Sequence, residues 1–289
     1  MEELLQQVLA GLATGAIYAC IALAVVMIYQ AIDHFNFAQG EMAMFSAFIA
    51  WQLIDWGANY WVAFFATIII SFVGGMLIER IIFAPLHNAP VFTHIVVFIA
   101  LFQIFNAGAG YIWEFTIRVF PSPFPDRLPF DTVLIGPHDL GMMVVTLIML
   151  GLIFAFFRFT PVGLAMRAAA AAPESARLVG ISVGWMLALG WGLAAAIGAV
   201  GGMMIAPVVY LEPAMMVGIL LYGFAGAVVG GLTSPGGAVV GGFFMGVVEP
   251  LAGMLIGSEL KLTVALVVIV SILIFRPAGL FGRVVVQRV

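Results

Sequence analysis

Charge is scarce in this chain. Asp, Glu, Lys and Arg make up 8% of its 289 residues, against roughly 25% in a soluble domain. So few charges exclude a water-facing surface free of large apolar patches. Lipid suits a composition that is 64% hydrophobic with a mean hydropathy of +1.21. The ten basic residues form no tract, which argues against nucleic acid as a partner. Cysteine is nearly absent. The single Cys20 excludes a disulfide within the chain and speaks against a metal cluster. Inside an apolar run it reads as a small hydrophobic residue. Met1 to Gln7 holds two glutamates and no Lys or Arg. A secretory signal peptide needs a basic start, so the first helix is expected to stay in the mature protein. The phosphate-cradling pattern G-x-x-x-x-G-K-[ST] is missing as well. Active transport would then draw on a separate subunit or an ion gradient. A file of buried acids, a row of arginines and a selectivity-filter repeat are also absent, which speaks against a proton pump, a voltage sensor and a channel.

What the chain does have is apolar runs long enough to cross ~30 Å of hydrocarbon as helices. The short alternating strands of a membrane barrel are not seen. Helices are expected at about 8–29, 38–54, 60–82, 94–113, 139–157, 185–206, 215–232, 237–256 and 261–276. The fold class is therefore an all-α polytopic membrane protein with 8–9 transmembrane helices, a single membrane domain over 1–289. The segment after Asn36 follows Asp33-His34-Phe35-Asn36-Phe37 and reads as a broken or re-entrant helix. Basic residues favour the cytoplasmic side. With loop 158–184 inside, Arg80, Arg158, Arg167, Arg177, Arg276, Arg283 and Arg288 lie inside, and Arg118, Arg127 and Lys261 outside. This places the N-terminus outside and the C-terminus in the cytoplasm. The 114–138 loop then lies outside, and its five prolines make it extended.

Glycine is abundant, at 33 residues, much of it at helix-packing spacing. The hexapeptide GAVVGG occurs at 226–231 and again at 237–242. It predicts a tight helical hairpin with a small-residue seam through Gly226, Gly230, Gly231, Gly237 and Gly241. Ionisable groups within spans are functional candidates. Glu41 could equally be a helix N-terminal anchor, and Glu249, just before Pro250, an end residue reaching water. Glu79 and Arg80 end the third span. His87 and His94 read as interfacial, and no histidine pair has metal spacing. Gly180-Ile181-Ser182-Val183-Gly184 matches G-x-S-x-G. That match invites an intramembrane enzyme, but it lacks the preceding strand a nucleophile elbow needs. No catalytic or metal-binding residue is assigned.

The polar island from Arg158 to Trp185 carries the strongest signal. Pro173 pre-sets a first helical turn, Glu174 suits a helix N-terminus, and Gly180 ends the helix. Glu174-Ser175-Ala176, three residues, then Gly180 is similar to the E-A-A-x-x-x-G loop of ABC importer permeases, with Ser175 in place of an alanine. Three more stretches agree: Asn36-Phe37-Ala38-Gln39-Gly40-Glu41, the Gly-rich stretch Gly223–Ala238, and Phe275-Arg276-Pro277-Ala278-Gly279-Leu280-Phe281-Gly282. Together they resemble the permeases of high-affinity branched-chain amino acid importers of the LivH type, over about residues 5–285. The resemblance implies a non-enzymatic subunit of the bacterial inner membrane. Its partners would be a second homologous permease, two ATP-binding subunits that carry ATP and Mg, and a periplasmic substrate-binding protein. It assigns ATPase coupling to Pro173, Glu174, Ser175, Ala176, Arg177 and Gly180. A path for cargo is expected near Asn36, Gln39 and Glu41. The cargo would be branched-chain or related small amino acids. Relatives that carry urea, short amides or aromatic acids stay open, as does an ion-driven carrier.

Overall fold

The computed structural model describes residues 2–32, 35–87, 89–125 and 136–282. Asp33, His34, Arg127, Arg283 and Arg288 lie outside the described residues, as does most of the second half of the 114–138 loop. The described chain is helical: α1 (Glu2–Ile32), α2 (Gln39–Asp55), α3 (Tyr60–Ile78), α4 (Val91–Trp113), α5 (Pro137–Phe159), α6 (Pro161–Ala171), α7 (Pro173–Leu178), α8 (Val183–Val209), α9 (Met216–Gly230), α10 (Pro235–Leu255) and α11 (Lys261–Phe275). Among the described residues, seven helical spans are long and apolar enough to cross a membrane. The protein is a multi-pass membrane protein.

The nine expected segments are all helical, but two differ from full spans. α9 has 15 residues and α2 has 17. α2 also starts inside the bundle: the Gln39 side chain donates to the Ala194 carbonyl at 3.0 Å, near the middle of α8. α3 widens at its end into a π turn, Glu79–Phe83, and then tightens into a 3-10 turn, Ala84–Leu86.

Two helices form the centre. Within their most apolar windows 89% of α1 and 78% of α8 is buried, against 11% for α11 and 17% for α5. A helix apolar all round belongs in a core or in lipid. What separates the two classes is side-chain size. α1 and α8 carry Gly and Ala where neighbours cross, so backbones approach closely without voids. A Cβ on Gly75 of α3 would lie 2.6 Å from the Trp191 carbonyl of α8, and one on Gly192 would lie 2.8 Å from the Phe72 carbonyl. On the other side, a Cβ on Gly15 of α1 would lie 3.1 Å from the Phe243 Cα of α10.

The GAVVGG copies fall on α9 and α10, joined through Gly231 at φ +108. A Cβ on Gly226 would lie 2.7 Å from the Gly242 Cα, and Gly230 and Gly241 sit against Gly237 and Gly226 respectively. The last helical carbonyls of α9 would lack intrahelical donors. The tail supplies them: Leu280 N–H donates to Val229 at 2.8 Å and Phe281 N–H to Gly230 at 3.0 Å. That part of the F-R-P-x-G-L-F-G stretch is thus a cap on the hairpin.

Candidate coupling and translocation sites

The polar island folds as two short helices. Thr160 caps α6, its hydroxyl accepting from the Gly163 amide at 3.0 Å. α6 stops at Ala172, whose φ of −152° and ψ of 78° are not helical, because a residue before proline is pushed out of the α region. Pro173 opens α7 with Glu174 in its first turn. α7 ends as its sequence dictates. Gly180 takes φ +86, its amide donates to the Arg177 carbonyl at 3.0 Å, and the Ile181 amide donates to Ala176 at 3.0 Å. These two bonds are the paired 5→2 and 6→1 bonds of a glycine-terminated helix.

Pro173, Glu174, Ser175, Arg177 and Gly180 are exposed. Ala176 alone of the six faces inward, 3% exposed, in a small apolar cluster with Ala169, Val183 and Leu187. The helix is thus pinned by one methyl group to α6 and α8 and presents its other faces outward. Arg80, at the end of α3, stacks its guanidinium 4.1 Å over the Trp185 ring at the start of α8, and its Nε lies 3.9 Å from Glu79. Arg167 and Gln30 line one crevice near the end of α1. The ends of α1 and α3 and the loop helices therefore share one basic face.

The second constellation sits at the start of α2. Asn36, Gln39 and Glu41 are buried. The Asn36 Oδ1 accepts from the Ala38 amide at 3.0 Å, a local turn that competes with helix and marks its beginning. The Asn36 amide donates to Gln39 Oε1 at 3.3 Å. The Glu41 Oε2 accepts from Asn106 of α4 at 3.1 Å, and Asn106 also donates to the Pro213 carbonyl at 2.8 Å. Both α2 and the α8–α9 connection are thereby tied to α4. The other Glu41 oxygen has no hydrogen-bond partner. Ser46 and Ser71 add a hydroxyl pair at 2.8 Å between α2 and α3. Asn106, Ser46 and Ser71 carry no local sequence signal, because their partners lie far away along the chain.

Glu249 does not simply reach water. The Tyr18 hydroxyl of α1 donates to its Oε2, and Lys261 lies 3.4 Å from its Oε1. Tyr18 stacks on Tyr222 with centroids 5.1 Å apart, so α1, α9, α10 and α11 meet at this acid. His94, expected at the interface, lies in the first turn of α4 and is buried among side chains, its ring 6.3 Å from that of Phe83. Helix α4 starts three residues earlier than its hydropathy suggested. His138 joins Ser122 at 2.8 Å and the Met204 carbonyl at 2.9 Å. Arg118 and Leu211 exchange backbone bonds of 2.9 Å. The far end of the bundle is laced by these contacts. Ser182 stands at the start of α8 and its side chain makes no capping bond. No strand precedes it among the described residues, so the elbow geometry is not formed.

A family model described as the permease component of branched-chain amino acid transport systems matches residues 7–274. The chain is 30% identical to the high-affinity branched-chain amino acid transport system permease protein BraD of Pseudomonas aeruginosa, over 99% of this chain and 98% of that protein. It is 30% identical to LivH of Salmonella typhimurium over 99% of this chain and 97% of that one. A probable LivH of Methanocaldococcus jannaschii is 25% identical over 91% of this chain and 87% of its own. No solved structure matches. With seven candidate spans among its described residues and a family match across nearly its whole length, this chain belongs to the branched-chain amino acid transport system permease family.

Proposed function

We propose that this chain is the permease subunit of an ATP-driven importer in the cell inner membrane, moving branched-chain or related small amino acids. The whole chain acts as one permease domain and forms half of a transmembrane heterodimer with a second, homologous permease. Two ATP-binding subunits carry ATP and Mg, and a periplasmic substrate-binding protein delivers the cargo to the outer loops, 114–138 among them. The observation that carries this reading is α7, a six-residue helix anchored through Ala176 and otherwise exposed. It has the form of a part made to be gripped from outside the bundle.

The basic face that gathers Arg80, Arg167 and Arg177 is read as cytoplasmic, with the N-terminus outside. The ATPases push or pull on Pro173, Glu174, Ser175, Ala176, Arg177 and Gly180, within loop 158–184. α6 and α8 pass that motion to the bundle. The seam of Gly226, Gly230, Gly231, Gly237 and Gly241 keeps α9 and α10 moving as one body. The path runs beside the break before α2, near Asn36, Gln39 and Glu41, where a buried amide network and a half-satisfied carboxylate interrupt an apolar bundle. No step breaks a bond of the cargo.

The test is reconstitution with the companion subunits in proteoliposomes. Deleting 173–178, or reversing the charges of Glu174 and Arg177, leaves docking of the loaded binding protein intact and stops amino acid uptake. Persisting uptake refutes the coupling assignment. Purification that brings no ATPase along refutes the importer reading. Binding assays with the cognate periplasmic protein decide among amino acids, urea and short amides.

A further inference from the structure

Beside α7 lies a cavity that neither the coupling role nor the path accounts for. Its volume is about 290 Å³, at the small end of the ~300–1,000 Å³ range of small-molecule clefts. Its polar lining is one acid, one base and one imidazole: Glu79, Arg177 and His87. Its apolar lining includes Ala84, Val183 and Leu187. The Glu79 side chain is only 2% exposed, and its nearest cation, the Arg80 Nε, is 3.9 Å away. That distance is too long for a hydrogen bond. The Glu79 Oε2 has no hydrogen-bond partner, and a buried carboxylate oxygen without a donor is costly. Arg177 comes from a different element, α7, and is exposed. The π turn that carries Glu79 is a local feature frequently found at functional sites.

We infer that this cavity is a binding site for a small aliphatic zwitterion, an α-amino acid taken from the coupling-loop side. Its ammonium would donate to Glu79 and its carboxylate would accept from Arg177, a fork that suits a planar anion. Its side chain would lie on Ala84, Val183 and Leu187. Because Arg177 belongs to α7, a bound zwitterion would bridge α7 to the end of α3 and hold the coupling helix in one position. Accumulated amino acid would then slow the importer from the side of the ATPases. This inference rests on the proposed function for its cargo and sidedness.

The experiment uses the assembled permease–ATPase complex, with the periplasmic protein left out for the binding measurement and added outside the vesicles for the uptake measurement. Equilibrium dialysis measures radiolabelled L-leucine, and ATP-driven uptake is measured in vesicles preloaded with L-leucine on the ATPase side. Wild type should bind saturably, and the preload should slow uptake. Glu79→Gln keeps the shape and removes the charge. It should weaken binding about tenfold or more and abolish the slowing, while uptake into empty vesicles continues. Ala84→Leu, which fills the apolar wall, should do the same and carries the test if Glu79→Gln does not assemble. Isoamylamine and 4-methylpentanoate, each lacking one charge, should not compete. The site is overturned if both variants bind leucine like wild type, or if the permease alone binds leucine and the assembled complex does not, which would make the cavity part of the ATPase dock. If wild type takes up no amino acid at all, the cargo assignment fails instead, and the dialysis result still decides the site.

Discussion

Replacing Gly226 by alanine probes the seam between α9 and α10 directly. A Cβ there would lie 2.7 Å from both the Gly242 Cα and its amide nitrogen, 0.7 Å short of the 3.4 Å at which ordinary contact begins. Those atoms are backbone and cannot swing aside. Helix α10 cannot step back either, because Gly242 is already pressed against Ala19 of α1. The clash must therefore be shared among three helices, and overpacking of this kind costs about 1–3 kcal/mol. Gly218, on the same helix, is the control, because a Cβ there meets nothing within 4 Å. Both changes gain the same ~0.5–1 kcal/mol of helix propensity, so their difference isolates the clash. The chain carries its own reporter. Cys20 is the only cysteine, is fully buried, and directly follows Ala19. Maleimide labelling against temperature in detergent reads its exposure. Gly218→Ala should raise the midpoint slightly and Gly226→Ala should lower it by several degrees, at roughly 2–4 °C per kcal/mol. Equal midpoints for the two variants would refute the three-helix wedge.

Tyr18→Phe removes the hydroxyl that donates to Glu249. A hydrogen bond to a charged group contributes about 1.5–3 kcal/mol, so the labelling midpoint should fall, and an unchanged midpoint would show that Lys261 alone suffices. Gly180→Ala forces a side chain into φ +86 at a cost of about 1–2 kcal/mol. It should cut ATP-driven uptake in proteoliposomes, with Gly180→Asn milder because asparagine tolerates that conformation. Glu41→Ala leaves Asn106 only the Pro213 carbonyl and should destabilise the fold by about 1–3 kcal/mol on thermal labelling. Glu41→Gln, which keeps an acceptor, should lie nearer wild type; the reverse order would refute the bond.

The parts of this fold that sequence reveals are those ruled by local physics. Pro173 and Gly180 mark both ends of α7 because one residue fixes φ and the other permits a positive φ, and neither effect needs a distant neighbour. The repeated GAVVGG marks the hairpin for the same reason. Depth is different. Hydropathy measures how long an apolar run is, not where it starts, so only the awkward stretch Asp33–Phe37 hints at a broken or re-entrant α2, and nothing in it names Ala194 as the mid-bundle partner of Gln39. Partners are different too. Glu249 is visible as a charge in a span, but Tyr18 precedes it by 231 residues, and Asn106 looks like any polar residue until Glu41 and Pro213 converge on it. The last motif was legible as a pattern, yet its role as a cap for Val229 and Gly230 appears only once the chain returns to α9.

Small residues and polar contacts divide the bundle into parts of different stiffness. Where α10 meets α1 and α9, and where α8 meets α3, glycines bring backbone against backbone. Such contacts leave no side chain to rearrange, so each set moves as a block or not at all. Elsewhere the chain has movable joints: the break before α2, the π turn ending α3, and the non-helical Ala172 between α6 and α7. The joints at Ala172 and the π turn flank the same cavity-lined face, and α7 lies between them. A force applied at Glu174 or Arg177 therefore meets a hinge on one side and the base of α8 on the other. Since α8 is 78% buried along its window and locked to α3 by Gly75 and Gly192, displacement of its base must carry α3 with it. In the proposed coupling role, the pairing of a one-methyl anchor at Ala176 with a stiff central helix would let a six-residue element shift the bundle.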